Sequence, residues 1–292
     1  MIIVKLKGGL GNQLFQYATG RALSLRQSKN NNNKTSLKLD LTWLDKKNGN
    51  DTVRHYSMSP FNIGADIATT EEIYRVSNNS IISKFLRFVR TKIFRQFYVS
   101  FTSRIFNLQG DCYLDGFFQT EKYFIDKENM IRNDLRLKLP LGEKVQEIYS
   151  KLQNDINSVS MHVRRGDVAR NSKTNPYYGI CTQQYYENSI SYILKKIDPP
   201  HLYIFSDDIE WVKTNMPLKY PATYVSSPEI PDYEELILMS ECKHNIIANS
   251  SFSWWGAWLN ENPSKIVIAP KRWIKGNDID YKDICPTSWI RI

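Results

Sequence analysis

At 292 residues and 34.2 kDa the chain has room for two ordinary domains or one large one. Its composition, 41% hydrophobic, 24% charged and 13% aromatic, excludes a disordered or fibrous chain, and no apolar run approaches the roughly 18 residues that span a bilayer. The net charge of +9 is uneven: no acid lies between Glu72 and Asp111, where seven cations from Arg75 to Arg104 sit, and the rest of the chain is close to neutral.

Met1 to Leu6 lacks the basic n-region of a signal peptide and reads as a first β-strand. Gly8-Gly9-Leu10-Gly11 then makes a tight turn, and the spacing of Leu14, Phe15, Tyr17, Ala18, Ala22 and Leu25 predicts a helix over Asn12 to Leu25. Gly9-x-Gly11 is part of a dinucleotide fingerprint, but Leu14 stands where the third glycine belongs, so the match does not show NAD. It suggests close approach of backbone to a ligand, with Asn12 and Gln13 as polar contacts. Leu37 to Leu41 is a second strand, and the stretch from Thr42 to Gly110 is irregular. Within it, residues 84–95 mix cations and apolar side chains near helical spacing. Such a segment is either a surface helix with its apolar side in the core or a peripheral contact with an anionic membrane face. One basic segment without a recognised motif does not indicate nucleic acid.

Cys112 to Leu114 reads as a strand and Thr120 to Leu135 as a helix. Pro140 and Gly142 punctuate the chain before a further helix to about Asp155, which gives domains at 1–155 and 156–292. In the second, strands at Ser158–Val163, Leu202–Phe205, Thr223–Val225, Asn245–Ala248 and Lys265–Ile268 alternate with helices from Thr182 to about Lys196, over Ile209–Asn215, over Asp232–Glu241 and over Ser253–Leu259. That alternation predicts a parallel sheet covered on both faces, whose ligands bind beyond the carboxyl ends of the strands. The four cysteines form no CxxC pair and point to neither zinc nor a disulfide framework. A cytoplasmic protein with reduced thiols is expected.

Three segments at predicted strand ends carry chemistry. His162-Val163-Arg164-Arg165-Gly166-Asp167 offers two guanidinium groups, which bind phosphate bidentately, and a carboxylate to orient one of them. One arginine is expected to close the sheet through a buried ion pair and the other to face ligand. Asn249-Ser250-Ser251-Phe252-Ser253-Trp254-Trp255-Gly256 places hydroxyls and backbone N–H groups at a helix N-terminus, an anion site or a simple cap. The two tryptophans are assigned to packing. In Phe205-Ser206-Asp207-Asp208-Ile209-Glu210-Trp211 the acidic pair could hydrogen-bond a nucleotide or hold a metal, and Ser206 or Asp207 capping the next helix accounts for it equally. Asp278-Ile279-Asp280 is a literal DxD but lies beyond the last clear strand, as a loop.

Together, Gly8-Gly9-Leu10-Gly11-Asn12-Gln13-Leu14-Phe15-Gln16-Tyr17, the 162–167 segment, Phe205-Ser206-Asp207-Asp208 and 249–255, in this order and spacing, resemble the α-1,2-fucosyltransferases, glycosyltransferase family eleven. The resemblance implies an α/β chain of GT-B type, two facing Rossmann-like domains with parallel sheets. It implies inverting transfer of L-fucose from GDP-fucose to the 2-hydroxyl of a galactose-terminated glycan, with no metal and no other cofactor. On it, Arg164 contacts the donor pyrophosphate, and His162, Arg165 and Asp167 build and brace that site. Ser250, Ser251 and Ser253 supply phosphate contacts beside Asn249 and Phe252, and Asp207, Asp208 and Glu235 lie on the donor side, Glu235 as a guanine contact. Gly9, Gly11, Asn12 and Gln13 border the fucose and acceptor. The general base is open among Asp115, Glu121 and Asp167. A non-catalytic nucleotide-sugar or glycan-binding protein, or a fucosyltransferase of another linkage, is the alternative.

Overall fold

The computed structural model describes residues 1–31, 34–46, 52–78, 101–165, 179–197, 199–274 and 281–292. The basic 84–95 segment, Gly166, Asp167 and the DxD lie outside them. The chain divides into two compact units, Met1–Leu139 with Asp278–Ile284, and Pro140–Asn277 with Cys285–Ile292.

Among the described residues, the first unit holds a four-stranded parallel sheet of β1 (Ile2–Lys5), β2 (Leu37–Asp40), β3 (Asp66–Ile67) and β4 (Cys112–Leu114), in the order β3-β2-β1-β4. Helix α1 (Leu10–Asn31) starts two residues earlier and ends six later than its apolar spacing predicts. It lies so close to the sheet that a Cβ on Gly20 would stand 2.3 Å from Val4 Cγ2, a contact only glycine permits. Helix α2 covers Thr70–Asn78. The helix expected over Thr120–Leu135 is instead two 3₁₀ turns, Glu121–Tyr123 and Ile125–Lys127, followed by α3 (Glu128–Asp134). The aromatic rings explain the break: Phe124 and Tyr123 are both buried, against Phe15 and Phe118 respectively, and facing them inward requires the tighter turn.

The second unit begins with α4 (Glu143–Asn154). The expected division at 155 put this helix in the first domain. It belongs to the second because Val145 and Leu152 are buried in one cluster with Tyr203, Phe205, Leu238 and Met239. After it come β5 (Ser158–Val163), α5 (Gln183–Ile193), β6 (His201–Ser206), α6 (Ile209–Asn215), β7 (Ala222–Tyr224), α7 (Asp232–Glu241), β8 (His244–Ile246), α8 (Ser251–Leu259), β9 (Val267–Ala269) and β10 (Ile290–Arg291). The six strands of this sheet pair in parallel in the order β10-β9-β8-β5-β6-β7. From β5 the chain winds outward through β6 and β7, then returns to wind the other way from β8. That is the Rossmann strand order, and it puts the topological switch point between β5 and β8. Trp254, Trp255 and Trp258 of α8 are buried at ring separations of 5.1–6.2 Å, which confirms their packing role. Thr182 caps α5 as its sequence position predicts, its Oγ1 accepting from Tyr185 N. Among the described residues, no helix is long and apolar enough to cross a membrane.

Candidate active site

Three adjacent parallel strands of the second unit, β8, β5 and β6, deliver the three chemistry-bearing segments to one end of the sheet. Val163 closes β5 in register with Ser206, and Met161 pairs Ile246 of β8. Arg164 follows β5 directly. Its Nη1 lies 3.4 Å from Ser250 Oγ at the N-terminus of α8, so a guanidinium and a helix end meet at the switch point. Ser250 is both cap and neighbour of that cation: its Oγ accepts from Phe252 N at 3.3 Å, and its carbonyl accepts from Ser253 Oγ at 3.4 Å. Ser253 is buried while Ser251 and Phe252 keep part of their surface. Asn249 has a different task. Its Nδ2 donates to the carbonyls of Gly179 and Trp273, and its Oδ1 accepts from the Cys181 thiol. It fastens two flanking segments to the strand end instead of presenting an amide to solvent.

Arg165 turns the other way. Its backbone N–H donates to Asp207 Oδ1 at 2.8 Å, its guanidinium carbon lies 3.3 Å from the Trp211 ring centre, and its Nε stands 3.9 Å from Asp208 Oδ2. The acidic pair therefore braces this arginine. The N-cap of α6 is Asp208, with no side-chain capping bond, and Ser206 Oγ accepts from the Asp208 N–H just before the helix while donating to Val163 O. Among the described residues, no group of three or more His, Cys, Asp or Glu side chains could hold a metal ion.

His162, at the end of β5, is buried, with Nδ1 making no hydrogen bond and its ring 5.8 Å from that of Phe252. Burial, reinforced by the charge of Arg164 and opposed by Asp207, lowers its pKa to about 4, so it is neutral at working pH. Glu235 lies at the same end of the sheet, half-buried on α7. Desolvation, with the charges of Asp232 and Asp207 adding to it, raises its pKa to about 7 against a hydrogen bond from Ser226. Ser226 in turn accepts from Ser206 N at 2.9 Å. The adjacent Glu234 is structural, its carboxylate accepting from Gly142 N at 2.7 Å and tying α4 to α7.

In the first unit the corresponding strand ends are those of β1 and β4. Lys7, after β1, is ion-paired with Asp115, after β4. Of the glycines, Gly8 takes the positive φ of +77°, not Gly9 or Gly11, and Gly11 is already helical. Asn12 is half-buried and its Oδ1 accepts from Gln119 Nε2 at 2.8 Å. The expectation that Gln13 borders a sugar is corrected: it is wholly buried, donating to the carbonyls of Gly8 and His55 and accepting from Ser57 N. An amide this well satisfied braces the turn. Glu121 opens the 3₁₀ turn two residues after Gln119. Lys7 and Ser226 went unread in the sequence, while Trp211, at the end of the 205–211 segment, and Gln119, between Asp115 and Glu121, were given no role there.

A Rossmann sheet with a guanidinium and a hydroxyl-rich helix end at its switch point is an arrangement suited to an anionic ligand, and the whole chain, residues 1–292, matches the model of glycosyl transferase family 11. The protein belongs to that family. It is 32% identical to an alpha-1,2-colitosyltransferase of Escherichia coli over all of this chain and 99% of that one. It is 31% identical to the O-antigen biosynthesis glycosyltransferase WbnK of the same species, over 98% and 99%. With human galactoside alpha-(1,2)-fucosyltransferase 1 the identity is 23%, over 50% of this chain and 42% of that one.

Proposed function

We propose that the protein transfers L-fucose from GDP-fucose to the 2-hydroxyl of a galactose in a glycan, with inversion and without a metal. The observation that carries this reading is the Arg164–Ser250 approach at the switch point. Breaking the bond between the sugar C1 and the phosphate leaves an additional charge on the departing GDP and oxocarbenium character on the sugar. Preorganised positive groups at the leaving oxygens lower that barrier. Arg164 and the N-terminus of α8 supply them, and Ser250 orients both. Glu235 accepts from the guanine edge, and His162, neutral, adds no competing charge. Asn12, held by Gln119, contacts the acceptor. The candidate proton acceptors are Glu121, Asp167 and Asp115, the last ion-paired with Lys7, and a dissociative transition state asks little of any of them.

The full-length similarity to a colitosyltransferase favours a second reading, in which the donor is GDP-colitose and the linkage is the same. One experiment separates them: each donor is supplied with lactose, GDP release is followed with and without EDTA, and the product linkage is read by NMR. Faster turnover of GDP-fucose to an α-1,2 product in EDTA supports the first reading. Preference for GDP-colitose selects the second, and loss of activity on chelation removes the metal-free mechanism.

A further inference from the structure

We infer that Trp211 is a positioning residue for Arg164; the inference rests on the donor-site reading above. Arg164 and Arg165 lie beyond the end of β5, at Val163, where the pleat no longer fixes side-chain direction, so the contacts each one makes set where it points. Arg164 goes toward Ser250 on the β8 side. Arg165 goes toward β6, where its main-chain N–H meets Asp207 and its guanidinium carbon lies over the Trp211 ring, 3.3 Å from its centre. Asp208 is 3.9 Å from Nε, beyond hydrogen-bond reach, and Nε has no hydrogen-bond partner. The ring face is thus the close partner of this guanidinium, and Trp211 is itself packed against the buried cluster that includes Val163 and Val212. A rigid aromatic surface anchored in the core fixes one arginine and, through one peptide unit, the direction of the next. Without it a second guanidinium is free beside the first, and the turn loses the contact that sets its orientation.

The test measures GDP affinity by titration calorimetry, a readout independent of donor sugar and acceptor, on the full chain and its R164A, W211F, W211L, R165Q, R164A/W211L and R164A/R165Q variants. The expected result is a roughly tenfold weaker Kd for W211L, recovery to within about threefold in W211F because an aromatic face remains, and no further loss when W211L is added to R164A. R165Q stands at a half-buried surface position and repeats the test without touching the core, with the same loss and the same failure to add to R164A. Wild-type affinity in W211L, or losses that multiply in the double variants, overturns the inference while leaving the donor site intact. Wild-type affinity in R164A overturns both, and so identifies the donor-site reading as the one at fault.

Discussion

Arg164 and Ser250, 86 residues apart in the chain, meet at 3.4 Å because the strands that carry them, β5 and β8, are neighbours across the switch of winding direction. The two make unequal contributions. On the proposed mechanism Arg164→Ala removes the group that meets developing charge, and kcat/KM for the GDP-sugar is expected to fall by about a hundredfold or more, mostly in kcat. Ser250→Ala removes a helix cap worth about 1 kcal/mol and one orienting contact. It should lower the melting temperature and cost activity less than R164A does. Steady-state kinetics beside thermal melts check the order, and an R164A variant with near-normal turnover removes Arg164 from the mechanism.

If Glu235 is the guanine contact proposed above, donor binding is expected to be pH-dependent. With its pKa raised to about 7 by burial, the free protein carries a neutral carboxyl below that pH. A guanine edge presents N–H donors and needs the carboxylate. Binding below pH 7 must therefore expel a proton, and the Kd for GDP is expected to rise about tenfold per pH unit as pH falls below 7. Glu235→Gln abolishes the dependence. Calorimetry in buffers of different ionisation enthalpy reads the proton release directly, and a Kd flat from pH 5 to 8 would show that Glu235 is not the base contact.

The same end of the sheet also hides an acid sensitivity. Between pH 4.5 and 6.5 the folded protein keeps His162 neutral and Glu235 protonated, whereas the unfolded chain has a charged histidine and an ionised glutamate. Each state holds one proton on the pair, so this pair contributes no slope to stability in that window. Glu235→Gln leaves the depressed histidine alone: the unfolded state then binds more protons, and stability drops by about 1.4 kcal/mol per pH unit as pH falls from 6.5 toward 4. Replacing His162 with Gln leaves the raised carboxyl, and stability rises as pH falls from 7 to 4.5. Urea unfolding across this range should give opposite slopes for the two variants.

Much of this was legible in the sequence because it is local. Strand–glycine–helix at the N-terminus, the arginine pair after an apolar strand, and serines between strand and helix all announce themselves within ten residues. The ends of Cys112–Leu114, Ser158–Val163 and Asp232–Glu241 fall where apolar alternation and helix-start signals put them. What was not legible is set by partners distant in the chain. No pattern in the GlyAsnGln turn says that Gln13 points inward, since beside Gly8 of the turn itself its partners, at 55 and 57, come from a distant loop without regular structure. Nor could sequence assign Asp115 to Lys7, which are 108 residues apart and brought together by the pairing of β1 with β4. The residues alone predict only that the two arginines differ in task; that Arg164 is the one beside Ser250 and Arg165 the one over Trp211 comes from contacts distant in the chain.

If Asn12 contacts the acceptor as proposed, substitutions at two glycines of the first unit separate stability from acceptor binding. A Cβ on Gly8 would force an alanine into φ +77° and stand 2.5 Å from Asn12 Nδ2, which displaces Asn12 and breaks its bond to Gln119. The left-handed backbone alone costs roughly 1–2 kcal/mol. A Cβ on Gly20 would instead meet Val4 Cγ2 at 2.3 Å and Leu37 Cδ1 at 3.0 Å inside the sheet–helix contact, an overpacking cost of about 1–3 kcal/mol. Both variants are expected to melt several degrees lower. They part at the acceptor: Gly8→Ala should raise the KM for lactose several-fold with GDP affinity unchanged, because Asn12 has moved, whereas Gly20→Ala should leave both constants near wild type below its melting temperature. Equal effects of the two on lactose would mean that the turn acts through folding alone, and Asn12 would lose its place in the acceptor site.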